Sequence, residues 1–312
     1  MGKSNLTVFA AIDVGSNTVR LLLADIESDK LLPRRYVRRI TRLRGGMTTE
    51  QGLAANSRQR TLEALREFTE ICRQEKVLEI KAVATAAFRQ ACNGHQFAKE
   101  IHRVTGLPLE IIPGSEEARL TALGVLSVLD PIPKHVLIVD IGGASTEFVL
   151  HSCGRPVWLA SRPFGVVSLT ESYRDTQVRR HHINQELAAV GNELAQQCNA
   201  LSLCFSDLAL VGTAGTVTTL AALDQKMDSY DWRRVNNSRL DKLTIHHLYN
   251  TLAPLTLEQR ECLPGVERGR GDLIVTGIET VLSTMDMIGA NELLVSDFGI
   301  LEGCLLSLAE GE

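Results

Sequence analysis

The stretch "VFAAIDVGSNTVRLLLADI" at 8–26 returns later in the chain as "VLIVDIGGASTEFVLHS" at 136–152. Each copy runs as an apolar strand, an Asp, an Ile or Val, a Gly, a small polar turn and a second apolar strand, so that Asp13 matches Asp140 and Gly15 matches Gly142. A turn that only reverses the chain needs Gly or Asn; it has no need of a carboxylate at the end of the incoming strand. A chain that builds this unit twice is constrained to a duplicated α/β architecture, and the acid at both turns calls for a chemical explanation.

Around the two copies the pattern is mixed. Residues 7–14, 18–27 and about 35–43 read as an antiparallel meander, by alternation and by turn residues. "SRQRTLEALREFTEICRQEK" then has the helical period and leads into the strand "LEIKAVAT", and the spacing predicts a helix at 95–105, a strand at 107–112 and a helix from Glu116 to Leu129. "DPIPKH" at 130–135 is the best linker. The second half predicts the strand "PVWLASR", helices around 165–173 and 183–199, a strand breaking through Gly-Thr-Ala-Gly into a helix, a helix at 272–288, the strand "NELLVSD" and a last helix from Gly299. The expected domains are therefore 1–129 and 130–312, with the end of the chain (299–312) packing back onto the first.

Composition excludes several classes. With 44% apolar and 22% charged residues the chain is globular, and a net charge of −4 argues against a generally basic nucleic-acid binder. No apolar run reaches the roughly 20 residues of a membrane helix, and Met1 to Thr7 lacks a signal-peptide pattern; a cytoplasmic location with no nucleic-acid or membrane partner is expected. Seven cysteines without a CxxC argue against a disulfide framework and a thiolate zinc site, and small buried hydrophobes are the reading that remains. "HHI" at 181–183 and "HHL" at 246–248 lack the helical spacing of a metal pair and read as surface histidines.

The turns themselves point to phosphate. Gly15, Ser16, Asn17 and Thr18 in one copy, and Gly142, Gly143, Ala144, Ser145 and Thr146 in the other, offer consecutive N–H groups little covered by side chains, together with hydroxyl and amide donors; such concavities bind anions. The carboxylates of Asp13 and Asp140 would repel a phosphate, and a divalent cation between them and the anion reconciles the two.

The ordered motifs "AIDVGSNTVRL", "ATAAFRQACN", "IIPGSEEARLTALG", "IVDIGGASTEF", "LVGTAGTVTTLAAL" and "LLVSDFGILEG" resemble the exopolyphosphatase and guanosine-pentaphosphate phosphohydrolase family, over essentially the whole chain and in its short two-domain form. The resemblance implies duplicated ribonuclease H-like domains of the actin/hexokinase/Hsp70 ATPase superfold with an interdomain cleft, and removal of terminal phosphoryl groups by water. It implies Mg²⁺, with Mn²⁺ as the alternative, and allows a homodimer. By the same resemblance Glu117 is the catalytic glutamate, with Glu116 a helix-start acid; Glu147 of "STE" helps position water or metal; and Arg89 grips the phosphate chain by its fork of donors. Arg20 and Arg270 are weaker candidates for phosphate. Gly212 and Gly215 belong to a turn like the superfold's nucleoside-binding turn, which glycine-permitted packing explains equally well. The family's third turn glycine is Ala144 here, and its Asn near Ala86 is absent.

"RRYVRRITRLR" at 34–44 carries six arginines. An edge strand protected by charge accounts for it; so does a stripe that steers a long polyanion. The leading expectation is hydrolysis of inorganic polyphosphate with release of orthophosphate, and the closest alternative is guanosine pentaphosphate. A sugar or acid kinase, an actin-like filament protein and a non-catalytic guanosine polyphosphate-binding regulator are the readings from other classes.

Overall fold

β1 (Val8–Val14), β2 (Thr18–Glu27) and β3 (Lys30–Ile40) form the antiparallel meander. The third strand thus starts and ends earlier than the 35–43 expected, because the chain turns at 41–46 where Arg42 takes φ 45°. There follow α1 (Ala55–Gln74), β4 (Glu79–Ala84), α2 (Ala86–Gln90), α3 (Gly94–Thr105), β5 (Leu109–Ile111) and α4 (Gly114–Leu126). The second copy gives β6 (His135–Ile141), β7 (Thr146–Ser152), β8 (Arg155–Arg162), α5 (Val166–Ser172) and α6 (Thr176–Ala200). β9 (Ala209–Thr213), α7 (Ala214–Asp224), α8 (Trp232–Val235), β10 (Arg239–Asp241), α9 (Lys242–Leu252), α10 (Leu257–Glu261), α11 (Ile274–Ile288), β11 (Glu292–Val295) and α12 (Ile300–Ala309) complete the chain. α6 begins well before the expected residue 183 because the Asp175 carboxylate caps it, accepting from the N–H groups of Gln177 and Val178.

The computed structural model describes residues 7–27, 30–267 and 269–309. The chain divides into two units, one running to Gly124 and taking up the chain again from Ile300, the other spanning Val125–Gly299. The first holds a sheet in the order β3-β2-β1-β4-β5, with β4 and β5 parallel to β1. The second has the order β10-β11-β9-β6-β7-β8. Apart from the added β10, its meander β6-β7-β8 and its parallel strands β9 and β11 repeat the first sheet strand for strand. Each unit is a ribonuclease H-like α/β domain.

Strand alternation sorts the first unit into two layers. Ala10, Ile12, Leu21 and Leu23 pack with Leu65 and Phe68 of α1 and Phe97 of α3. Ala11, Leu22 and Ala24 pack on the other face with Leu120 of α4 and Ile300, Leu301 and Leu305 of α12. Asp13 and Arg20 keep step with Ala11 and Leu22, so both belong to the α4 and α12 face. A Cβ at Gly303 would collide with the backbone carbonyl of Leu120, so α12 crosses α4 at a separation only glycine permits.

The second unit packs one face of its sheet on α6, α7 and α11. Within that layer Arg179 reaches Glu279 by two bonds, Nε to Oε2 at 2.7 Å and Nη2 to Oε1 at 3.1 Å, and Glu279 also accepts from Tyr249 Oη at 3.1 Å. Both side chains are almost wholly buried. Removing one partner strands a charge away from water, at a cost of about 3–5 kcal/mol, whereas apolar replacement of both is far milder. Arg179→Met is expected to lower the urea midpoint sharply, and the double variant Arg179→Met with Glu279→Leu to recover most of it; a single variant unfolding at the parent's midpoint contradicts this.

Candidate active site

The first turn is closed by the Gly15 N–H on Thr18 O at 3.0 Å. Its outward carbonyls are then taken up by the chain that leaves β3. Asn17 O accepts from the N–H groups of Thr41 (3.0 Å) and Arg42 (2.9 Å), and Ser16 O from that of Arg44 (2.9 Å). In a planar trans peptide the C=O and the following N–H point in opposite directions. Holding these carbonyls on one side therefore turns the next amides to the other.

The second turn is built alike. Gly142 O accepts from Val166 N–H at 3.0 Å, and Gly143 O from the N–H groups of Val167 (2.8 Å) and Ser168 (3.1 Å). The N–H groups of Asn17, Gly143 and Ala144 donate to no described residue. Thr146 departs from expectation, since its hydroxyl donates to Phe164 O at 2.6 Å within the core and is already used.

Glu117 sits in the first turn of α4, 8% exposed, with Glu116 beside it. Their surroundings separate them. Arg89, at the end of α2, donates through Nη1 both to Glu117 Oε2 at 2.7 Å and to Ile112 O at 2.9 Å. Glu116 instead faces Arg119 one turn along, at 2.8 and 3.0 Å, in a half-exposed pair. Two of the sequence-derived candidates, Arg89 and Glu117, are thus in direct contact, and the neighbouring acid Glu116 is tied elsewhere.

The register explains the acid of the first copy. Asp13 lies opposite Arg20 on β2, and Arg20 grips its Oδ2 through Nε at 2.9 Å and Nη2 at 2.6 Å. A cation at that oxygen would have to displace the guanidinium, which sets Asp13 apart from its counterpart in the second copy. In the second copy the same register places Asp140 opposite Glu147. Glu147 is 1% exposed, and its Oε1 accepts from Ser161 Oγ at 2.7 Å. Like charges directly across a strand pair oppose folding, and a small hard cation that takes one or two carboxylates beside waters and phosphate oxygens suits this donor set. Among the described residues no group of three or more His, Cys, Asp or Glu side chains is placed to hold a metal.

The remaining candidates lie in the second unit. Gly212 is buried in β9 against Val217 and Leu293, where a Cβ would come within 2.9 Å of Val217; it serves packing. Gly215 is covered by Arg270, whose Nη1 donates to Gly215 O at 2.7 Å and to Thr219 Oγ1 at 3.3 Å. Close to this turn the half-exposed Tyr230 donates to Asp297. The arginine stripe of β3 lies on an edge strand whose Arg35 pairs with Glu75 just past α1 and whose Arg39 pairs with Glu67 of α1, while Arg34 pairs with Asp25. His181, His246 and His247 are exposed and His182 half-buried, as surface histidines.

Residues 27–312 match the model of the Ppx/GppA phosphatase family. The chain belongs to that family. It is 32% identical to Exopolyphosphatase 2 of Mycobacterium tuberculosis over 97% of this chain and 99% of that protein. The crystal structure of the Aquifex aeolicus member of the Ppx/GppA family superposes with a TM-score of 0.80 at 31% identity, over 98% of each chain. An exopolyphosphatase from Cytophaga hutchinsonii, 23% identical, shares the fold with a TM-score of 0.87 over 98% of each chain. As a Ppx/GppA member the chain is a phosphatase-family enzyme, and among its described residues no helix is long and apolar enough to cross a membrane.

Proposed function

We propose that this chain is an exopolyphosphatase that releases orthophosphate from the end of inorganic polyphosphate. The observation that carries the reading is the pair of repeat-related turns, each with its carbonyls held back and with amides left for an anion. In the first unit the Asn17 N–H and the Ser16 hydroxyl are donors for a phosphoryl group, and in the second unit the Gly143 and Ala144 N–H groups and the Ser145 hydroxyl are. Arg20, held by Asp13, and Arg89 offer guanidinium forks to the phosphates. Glu117 orients a water and takes its proton as the oxygen attacks the terminal phosphorus; the bond to the bridging oxygen breaks and its electron pair leaves with the shortened chain. Asp140 and Glu147 would hold Mg²⁺, or Mn²⁺, which neutralises phosphoryl charge when bound. Composition and cysteine usage support a cytoplasmic enzyme.

Guanosine pentaphosphate offers the same anhydride with a nucleoside attached, and the half-buried turn at Ala214 and Gly215 keeps it as the comparison substrate. The deciding experiment measures phosphate release from long polyphosphate, guanosine pentaphosphate and ATP with and without Mg²⁺. Polyphosphate is expected to give the highest kcat/KM; a higher value for guanosine pentaphosphate reverses the assignment, and no metal-dependent release from any of the three removes it.

The arginine stripe supplies a second check. Replacing Arg35, Arg38, Arg39 and Arg42 by Gln should weaken binding of long polyphosphate and flatten its salt dependence, because fewer counterions are released when fewer cations engage the chain. An unchanged affinity and salt slope would leave the stripe a protected edge.

A further inference from the structure

Both phosphate turns owe their shape to a segment distant in sequence. In the first copy it is the chain leaving β3, residues 41–44, and in the second it is the chain leaving β8, residues 164–168. These segments occupy the same place in the repeat, directly after the third strand of each meander, yet "TRLR" and "GVVS" share no residue. Each puts two successive N–H groups on one turn carbonyl and a further N–H on the neighbouring one. Both segments fix two adjacent turn carbonyls with three N–H groups, although the carbonyls differ by one position in the repeat, Ser16 and Asn17 in the first copy and Gly142 and Gly143 in the second.

Each segment also carries a mark of backbone constraint. Arg42 has φ 45°, in the left-handed region that a residue with a Cβ seldom adopts, and such strain persists only where the surroundings impose it. The surroundings do: Leu43 is fully buried, Thr41 O accepts from Arg60 Nε at 2.9 Å, and Gly45 N–H closes back on Arg42 O at 2.9 Å. In the second copy a Cβ at Gly165 would lie 2.5 Å from Gly143 C, 2.6 Å from Ala144 N and 2.6 Å from Gly142 O. All three are backbone atoms of the phosphate turn, so no side chain could rotate out of the way. The Gly165 backbone is extended, with φ −132° and ψ 169°, and the glycine is required for space.

We propose that residues 41–44 and Gly165–Ser168 are positioning elements of the reaction, acting through their backbone N–H groups to aim the turn amides at phosphate. Arg42 and Gly165 are the positions that let them approach. The proposal rests on the reading of the two turns as phosphate sites. Amides preorganised toward a developing charge lose much of their effect when displaced by a few tenths of an ångström. Adding a methyl group at Gly165 forces a displacement of that size on the second turn.

The test uses the full chain, with kcat and KM measured on tripolyphosphate, affinity for inorganic phosphate measured by calorimetry, and folding followed by thermal melting. Gly165→Ala is expected to lose at least tenfold in kcat and to bind phosphate more weakly, with a cooperative melting transition. Arg42→Gly and Arg42→Val both remove the arginine charge, but only glycine accepts a positive φ without strain. Arg42→Val should therefore lose at least tenfold more kcat than Arg42→Gly, a difference that neither charge nor polyphosphate steering produces. Equal rates and phosphate affinities for the two Arg42 variants overturn the proposal for the first turn, and parent-like values for Gly165→Ala overturn it for the second. Should Gly165→Ala fail to fold, the Arg42 pair decides the matter. If the parent itself releases no phosphate, the exopolyphosphatase reading fails separately, and equal phosphate affinity of parent and variants still counts against the positioning elements.

Discussion

Glu117→Gln is expected to cut the catalytic rate by about 10²–10⁴ while leaving the affinity for polyphosphate within a few-fold of the parent's. Glutamine keeps the size of the side chain and an oxygen that can still accept from Arg89 Nη1, and Arg89 remains anchored on Ile112 O. What the substitution removes is the ability to take a proton from water. The fold should tolerate it, because Arg89 is about one-quarter exposed and stays hydrated when its partner turns neutral. Glu116→Gln is the internal control. It breaks a half-exposed pair with Arg119, of a kind worth at most about 1 kcal/mol, and should leave turnover nearly unchanged. Arg89→Gln should instead raise KM for short and long substrates alike. A Glu117→Gln enzyme with most of its turnover would remove Glu117 from the reaction, and an equal loss in Glu116→Gln would make both effects structural.

What could be read from the amino-acid order was whatever repeats or alternates locally. The two strand-turn-strand copies foretell two like sheets, and β1 with β2 and β6 with β7 pair antiparallel as that pattern implies. Elements held by a single polar cap were harder. The first turns of α6, "TQVRRHH", show no apolar period, and α9 starts on the Asp241 carboxylate, which accepts from Thr244 N–H; neither start was anticipated. The end of β3 was misplaced because the left-handed backbone at Arg42 is imposed by the turn it serves, and no propensity encodes it. In the site, the identities of Glu117, Arg89 and the turn residues were legible, but their partners were not. The tie of Asn17 to residues 41–42 and that of Gly142 to Val166 join segments more than twenty residues apart. The use of the Thr146 hydroxyl inside the core depends equally on tertiary packing.

The pairing of Asp13 with Arg20 bears most directly on the metal. If the two strand-end acids were equivalent, Asp13→Asn and Asp140→Asn would raise the Mg²⁺ requirement together. The register separates them, because position for position the first copy opposes a carboxylate to a guanidinium and the second opposes two carboxylates. Asp140→Asn and Glu147→Gln are therefore expected to raise the Mg²⁺ concentration for half-maximal rate by roughly tenfold or more, the range seen when metal-site groups are altered. Asp13→Asn should leave that concentration near the parent's and act on substrate instead. With the charge-assisted bonds to Nε and Nη2 weakened, Arg20 loses its fixed aim, and KM for short polyphosphate should rise more than kcat falls. Direct binding of Mn²⁺, followed by its electron paramagnetic resonance in the absence of substrate, separates the two roles without turnover: weakened in the Asp140 and Glu147 variants, retained in the Asp13 variant. A loss of Mn²⁺ binding in Asp13→Asn as large as that in Asp140→Asn would restore the symmetric reading, with Arg20 giving way to the cation when it binds.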